Sequence, residues 1–172
     1  VNAAAAFATT FTHVVTETHP GISLHDVTDD VARIVTESKI SNGWVHLVSQ
    51  HTTTGVMINE MESRLVDDFR QFLTKLAPPD QAYLHNDVEY RPASQHDMDK
   101  VVENFGTGVD LVEWRKNEPR NAHAHLITMM VGATETIPVV NGKLAIGEWQ
   151  SIILVDSDGP RKRRLGVQVV GT

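Results

Sequence analysis

The last forty residues contain the pattern that most constrains the fold, a series of apolar runs separated by short turns. Asn141 and Gly142 lie between two such runs, and Asn-Gly in this position is a strong β-hairpin signal. The predicted strands are residues 134–140, 143–146, 149–155 and 164–170, with turns at 141–142 and 156–160. Because consecutive hairpins build antiparallel sheets, this part of the chain is predicted to be antiparallel β-structure.

The preceding part of the chain combines further strands with helices. Met61, Leu65 and Phe69 recur at helical spacing, and the two prolines at 78–79 end that helix. The predicted strands are 7–15, 44–50 and 55–59, and the predicted helices are 26–38 with Asp26 as cap, 61–76, and 121–131 with Asn121 as cap. The fold class is therefore α+β, with mostly antiparallel sheet layers packed against about three helices.

Residues 89–119 have a weaker pattern and carry Pro92, Gly106, Gly108 and Pro119. The pattern allows a short helix near 98–104 and another element near 109–114. We predict one domain over residues 1–172 that contains a long irregular insertion at about 89–119. An irregular segment of this length is usually functional or mobile.

Composition excludes several classes of protein. The chain has 172 residues, no cysteine, nine histidines and a formal net charge of −7. Disulfides, thiolate metal sites and a cysteine nucleophile are excluded, and an acidic chain is a poor general binder of nucleic acid. No apolar run is long enough to span a membrane. The apolar start at 1–7 lacks a basic region, so no signal peptide is expected and the cytoplasm is the predicted compartment.

Three separated segments each place a histidine at the end of an element. His51 lies in 50–55, where the segment forms either a ligand cradle or a Thr-rich turn, and His85 follows a proline-terminated helix. His125 follows His123 by two residues, and such side chains diverge by about 200° within one helix. Three imidazoles with an open fourth position are a catalytic metal arrangement, but separated histidines also commonly satisfy local hydrogen bonds.

Three other segments carry polar groups with two interpretations each. The basic run 161–164 either binds phosphate or forms a charged hairpin tip. Glu60 either belongs to the site or opens the next helix. Trp149 in 147–150 is more typical of packing than of stacking on a substrate.

The order of these motifs along the chain resembles that of the YjbQ-like proteins, also called the secondary thiamine-phosphate synthase family. Each motif is weak alone, but the ordered set covers nearly the whole chain. The matching segments are 50–55, 58–60, 85–87, Asn121, 124–126 up to Gly132, 147–150, and 158–161 with Arg163. The segment 89–119 is longer than the link expected in that family, and His123 is not part of the pattern.

The resemblance implies an α+β fold, a homotrimer and a site built around the histidines. It also implies a weak thiamine-phosphate synthase activity, which joins a pyrimidine diphosphate to a thiazole phosphate and releases diphosphate. The expected partner is therefore a small phosphorylated metabolite. Two alternatives remain, a non-catalytic trimeric binding protein for such a metabolite and a hydrolase that uses water bound to a metal on three histidines.

On this basis the site residues have three expected roles. The catalytic residues are His51, His125 and Glu60. The substrate-binding residues are Thr52, Thr53, Asn59, Asn121, Gln150, Arg161 and Arg163. The metal ligands are His51, His85 and His125, which would hold a divalent ion, zinc or magnesium, and no organic cofactor is expected.

Overall fold

The structure is a computed structural model that describes residues 7–172. Residues 1–6, most of the apolar start used to judge a signal peptide, lie outside the described residues. The strands are β1 (Ala8–Glu17), β2 (Gly21–Asp26), β3 (Asn42–Ser49), β4 (Thr54–Asn59), β5 (Thr134–Val140), β6 (Lys143–Leu144), β7 (Ser151–Gly159) and β8 (Lys162–Gly171). The helices are α1 (Thr28–Ser38), α2 (Ser63–Leu76), α3 (Gln95–Phe105), α4 (Leu111–Asn117) and α5 (Ala122–Val131).

The strands form two antiparallel sheets. The large sheet has the order β1-β8-β3-β5-β6, and the small sheet has the order β2-β7-β4. The predicted α+β class is confirmed. The described residues form five α-helices rather than about three, because α3 and α4 lie inside the segment 89–119 that was predicted to be irregular.

Two hydrophobic cores separate three layers. Strand alternation turns Val45 and Leu47 of the large sheet toward Val56 of the small sheet, and α1 packs into the same core. Ile153 of β7 points to the other face of the small sheet, where it packs with Leu73 of α2 and Ile127 of α5. Both faces of the small sheet are therefore buried, and α2 and α5 form the third layer.

Two strand predictions need correction. The strand β2 was not predicted, because only six residues separate Gly21 from the start of α1 and they show no clean alternation. The residues 156–159 were predicted to be a turn, but they continue β7 as far as Gly159. They remain extended because Asp156 pairs with Thr54 of β4 and with Ser23 of β2, which are partners distant in the sequence.

The helix ends show which caps the sequence predicts. Asp26 was predicted to cap α1, but the N-cap residue is Val27, which makes no side-chain capping hydrogen bond. Asp26 lies one residue earlier, where its Oδ1 accepts a hydrogen bond from the Thr28 N–H at 2.9 Å. The predicted cap of α5 is wrong, because the Asn121 side chain makes no capping hydrogen bond. The N–H of Ala122 instead donates to Asn86 Oδ1 at 3.0 Å. Among residues 7–172, no helix has the length and apolar character needed to cross a membrane.

Candidate functional site

The candidate site lies at one end of the small sheet. Thr54, the first residue of β4, pairs there with Asp156 near the end of β7. Residues 51–53 lead into β4 at this end, and α5 packs against both β4 and β7. The two antiparallel strands and one helix terminus therefore bring segments 51–53, 156–158 and 121–125 together.

A buried ion pair joins the two sheets at this end. The Arg163 guanidinium donates from Nε to Asp156 Oδ2 and from Nη2 to Asp156 Oδ1, both at 2.8 Å. The Thr18 hydroxyl also donates to Asp156 Oδ2 at 2.6 Å. Burial alone would raise the pKa of Asp156, but the hydrogen bonds from Arg163, Thr18 and the Asp158 backbone lower it overall.

This ion pair and its hydrogen bond to Thr53 engage two residues that were predicted to bind substrate, Arg163 and Thr53. Arg163 is only 4% exposed, and its Nη2 also donates to Thr53 Oγ1 at 3.0 Å. Strand alternation explains the placement, because Arg163 lies on the same face of β8 as Leu165. Arg163 and Thr53 are therefore placed to hold the two sheets in register beside the site rather than to project into it.

His51 is oriented by the backbone of the large sheet. The Arg164 amide N–H donates to His51 Nε2 at 3.0 Å. In the neutral imidazole the proton is therefore on Nδ1, because Nε2 acts as the acceptor. Burial lowers the pKa of His51, and the nearby Arg163 and Arg164 charges lower it further, so the neutral ring is favoured.

His85 and His125 form the second part of the site. Their ring centroids lie 5.0 Å apart in an edge-to-face arrangement. The hydrogen bond from the Ala122 N–H to Asn86 explains the contact, because it fixes the residue after His85 to the first turn of α5. Burial lowers the pKa of both rings, and the positive charge of Arg91 adds to the effect at each.

Asp158 connects α5 to the basic run. Its Oδ2 accepts a hydrogen bond from Asn121 Nδ2 at 2.8 Å and lies 3.0 Å from Arg161 Nη2. Asn121 Oδ1 is buried without a hydrogen-bonding partner among the described residues. The Arg161 side chain remains 47% exposed, so its guanidinium can reach a ligand while one nitrogen contacts Asp158.

His123 lies inside the regular helix α5, so its side chain diverges from that of His125 and the two do not share a ligand. Its Nδ1 is buried and has no hydrogen-bonding partner within the described part of the chain. Burial lowers the pKa of His123, while the Asp158 carboxylate partly opposes that effect. His123 therefore contributes a neutral ring beside Asp158.

Three predicted site residues lie at the opposite end of the small sheet. Asn59 pairs with Ser151, five residues along β4 from Thr54, which corresponds to about 17 Å. Glu60 follows Asn59 and is exposed, and Gln150 precedes Ser151 and accepts a hydrogen bond from the Gly147 N–H at 2.7 Å. Within one chain these side chains do not join the histidines. Thr52, in contrast, lies beside the histidines, since its backbone contacts the His125 ring.

The three histidines do not fit a zinc ion as they are arranged. Both nitrogens of neutral His51 are committed, since Nε2 accepts from Arg164 and Nδ1 carries the proton. Residues 7–172 contain no group of three His, Asp or Glu side chains that could hold a metal ion. The metal ligands therefore stay a prediction, and no chemical step below passes through a metal.

Sequence reasoning missed two residues that build the site. Asn86 was noted only as part of 85–87, although its amide binds the start of α5. Asp156 was assigned to a turn, although it is fully buried and binds Arg163. The available signal was that Asn86 follows a histidine and that Asp156 lies just before the basic run, but the partners of both are distant in the sequence.

The fold and the site define an antiparallel α+β protein with a cluster of neutral histidines beside arginine at one sheet end. The model of the UPF0047 protein YjbQ-like family matches residues 12–172, and the chain belongs to this family. A UPF0047 protein of Methanothermobacter thermautotrophicus is 33% identical over 87% of this chain and 84% of its own length.

Solved structures have the same fold. A YbjQ-like protein of unknown function from Sulfolobus solfataricus superposes with a TM-score of 0.76, at 30% identity, over 97% of this chain and all of that one. An uncharacterized conserved protein of the family from Clostridium acetobutylicum gives a TM-score of 0.70, at 28% identity, over 92% of this chain and 98% of that one.

Proposed function

We propose that this chain binds a phosphorylated metabolite at the histidine end and is a weak thiamine-phosphate synthase-like transferase. In the proposed reaction the thiazole nitrogen attacks the methylene carbon of a pyrimidine diphosphate. A carbon–nitrogen bond forms with the nitrogen lone pair, the carbon–oxygen bond breaks, and its electron pair leaves on diphosphate. No oxidant or reductant is needed.

One observation carries the proposal: neutral imidazoles lie beside exposed guanidinium charge at the site. His51, His85 and His125 each have a lowered pKa. Of the arginines near His51, Arg163 is neutralised by buried Asp156, whereas Arg161 and Arg164 are exposed. Preorganised N–H donors and positive charge stabilise the negative charge that develops on a departing diphosphate.

The residues have the following proposed roles. His51 donates its Nδ1–H to an anionic oxygen, because Nε2 is already bound by the Arg164 amide. Arg161 contacts phosphate oxygens while Asp158 orients it. His125, with His85 against it, is the acid–base group. Its neutral ring first takes up a proton from solvent, and the imidazolium so formed, which is more acidic because its pKa is lowered, gives that proton to the diphosphate as it leaves.

The proposal includes a homotrimer in the cytoplasm. It is supported by apolar side chains on the outer face of the large sheet, where Phe11, Val15, Trp44 and Val140 are each about half exposed. A second chain that covers such a face brings new residues near the site. Glu60, Asn59 and Gln150 keep their predicted roles only in that way, and light scattering should give three times 19.0 kDa.

The function is tested by incubating the untagged protein with the pyrimidine diphosphate and the thiazole phosphate. We expect thiamine phosphate and diphosphate in equal amounts, with the rate lost in His51→Ala and kept in His96→Ala, since His96 is exposed on α3 outside the site. Binding of diphosphate without product would support the non-catalytic alternative. Stoichiometric zinc that is lost in His125→Ala would support the metal prediction.

A further inference from the structure

A groove of about 580 Å³ lies between the short 3₁₀ turn Val88–Tyr90 and the part of the chain that runs from α4 to Arg120. We call it the α4 groove. It is separate from a cavity of about 570 Å³ beside His85, because the two share no lining residue. The ion pair of Arg91 and Glu118 connects them, since Arg91 lines the cavity and Glu118 lines the groove. The proposed reaction uses no residue of the α4 groove.

Two guanidinium groups in the α4 groove have no carboxylate partner. The Arg120 side chain is exposed and makes no ion pair or hydrogen bond among the described residues. Arg115 is half-buried and donates from Nε to the Arg91 carbonyl at 2.7 Å, which orients the side chain and leaves both Nη nitrogens available. Guanidinium groups bind carboxylates through parallel N–H donors, so these two side chains form a place for an anionic group.

A carboxylate and two valines complete the groove. Glu89 is exposed and forms no ion pair within residues 7–172, whereas Glu118 is already bound by Arg91 at 2.9 Å. Val112 is 61% exposed, and Val88 is half-buried. The α4 groove therefore presents unpaired charge of both signs next to apolar surface.

This combination selects against ligands that carry only one sign of charge. Glu89 is too far from Arg115 and Arg120 to form an ion pair with either, so the opposite charges of the groove do not neutralise each other. A simple anion would be repelled by Glu89, and a simple cation would be repelled by the two arginines. A ligand with a carboxylate and an ammonium group satisfies both, and an apolar body gains from burial against the valines.

From these observations we infer that the α4 groove binds a small zwitterion with an apolar body, an apolar amino acid or dipeptide. Arg115 and Arg120 bind its carboxylate, Glu89 binds its ammonium group, and Val88 and Val112 contact its side chains. The volume of the groove is in the range of small-molecule sites. The inference goes beyond the proposed function, because it assigns a second ligand to residues that do not take part in the transfer.

Calorimetry with four matched probes tests the two charges separately. L-leucine and L-leucyl-L-leucine carry both charges, N-acetyl-L-leucine lacks the ammonium group, and L-leucinamide lacks the carboxylate. We expect each analogue with a single charge to bind at least about tenfold more weakly than leucine. The tighter of the two zwitterions identifies the ligand as a free amino acid or as a peptide. N-acetyl-L-leucine that binds as tightly as leucine would overturn the inference, because the groove would then be a plain anion site.

Charge variants locate the binding in the groove. Arg120→Gln and Glu89→Gln should each weaken the binding of the tighter zwitterion by about tenfold. Arg64→Gln and Glu103→Gln are the matched controls, since they remove the same charges from exposed positions outside the lining, and they should change the affinity less than about twofold. All four replaced side chains are exposed, so the fold should be retained. Equal affinities in the four variants would contradict the assignment.

A filling variant tests the apolar part of the groove. Val112→Trp adds bulk from an exposed position and should abolish zwitterion binding. Leu84→Trp adds the same ring to the cavity beside His85 and should leave that binding unchanged. No binding of either zwitterion by the wild-type protein would overturn the inference and leave the proposed transferase reaction intact. Zwitterion binding without thiamine-phosphate formation would support the groove assignment while the proposed function fails.

Discussion

The two ends of the small sheet both lie within the residues that the family model matches, but they have opposite physical character. At one end, Asp156 and Arg163 are buried as an ion pair and four histidines have lowered pKa values. At the other end, Asn59, Glu60 and Gln150 are exposed, and the side chains of Asn59 and Gln150 accept hydrogen bonds from the nearby backbone of Glu60 and Gly147. A motif match therefore does not by itself locate a site; a cluster of perturbed titratable groups is the stronger indicator.

The largest difference between the ends should be in stability. Arg163→Met leaves Asp156 buried without its partner, so the free energy of unfolding should fall by about 3–5 kcal/mol. Glu60→Gln at the exposed end should change it by no more than about 0.5 kcal/mol. Urea unfolding of both variants checks the comparison, and similar losses in the two would contradict it.

A double variant separates the ion pair from packing in general. Replacing both partners, as Asp156→Leu with Arg163→Met, removes the uncompensated charge and should recover part of the lost stability. A double variant that is less stable than the sum of the two single losses would show that the pair is not the main contribution at this end.

The next difference should be in turnover. His125→Ala removes the proposed acid–base group and should lower the rate of thiamine-phosphate formation by about 100-fold or more. Gln150→Ala at the exposed end should lower it by less than about tenfold, because a positioning hydrogen bond contributes less. Initial rates at saturating substrate give the comparison, and a larger loss in Gln150→Ala would move the reacting groups to the exposed end.

Anion affinity should differ by a smaller factor. Arg161→Gln removes a charged donor at the histidine end and should weaken diphosphate binding by about tenfold. Arg64→Gln removes the same charge near the first turn of α2, next to the exposed end, and should leave the affinity within about twofold. Titration calorimetry at fixed ionic strength distinguishes local binding from a change in overall charge, which both variants share.

The smallest expected effect is a pH dependence of stability. Burial holds the pKa of His51, His85, His123 and His125 below the ordinary value of 6.5, so the unfolded chain binds more protons in weakly acidic solution. The free energy of unfolding should therefore be largest above about pH 6.5 and should fall as the pH falls below it. Urea unfolding between pH 7.5 and 5.5 measures the slope.

Substitutions of single histidines test whether this pH dependence of the free energy of unfolding comes from the histidine end. His85→Gln should reduce it, and His96→Gln should not, because His96 is exposed on α3. The Asp156 carboxylate acts in a different range, since its lowered pKa gives stability that is lost only as the pH falls below its ordinary value of 3.8. A flat profile between pH 7.5 and 5.5 would contradict the burial of the histidines.

The parts of the fold that follow from local patterns were predictable. The helix 61–76 begins two residues later, at Ser63, and ends at Leu76 before the prolines, and the strand 134–140 has the predicted bounds. Apolar periodicity and turn residues specify such elements without distant partners. For α3 and α4 the sequence predicted no more than a short helix near 98–104 and an element near 109–114, because prolines and glycines interrupt the apolar pattern around them.

The site was predictable only where its residues act locally. The structure places His51, His85 and His125 at the same end of the sheet, with His85 in contact with His125. Arg163, which was predicted to bind substrate, is buried against Asp156. Its partner Asp156 lies in a sequence of turn-forming residues, so only the pairing of the two sheets reveals the ion pair. Asn121 was predicted to cap α5, but its amide binds Asp158 instead.

The hydrogen bond from Ala122 to Asn86 has a consequence for how the chain is assembled. Residues 87–121 leave and return at one point, and the Arg91–Glu118 ion pair closes the same base a second time. A segment whose two ends are held together in this way can be shortened or lengthened without disturbing the rest of the fold. A short linker can join its ends, and the entropy of loop closure changes only slowly with loop length. The segment 87–121 can therefore vary in length, and the cavity beside His85 can vary with it, while the strands and the histidine end stay the same.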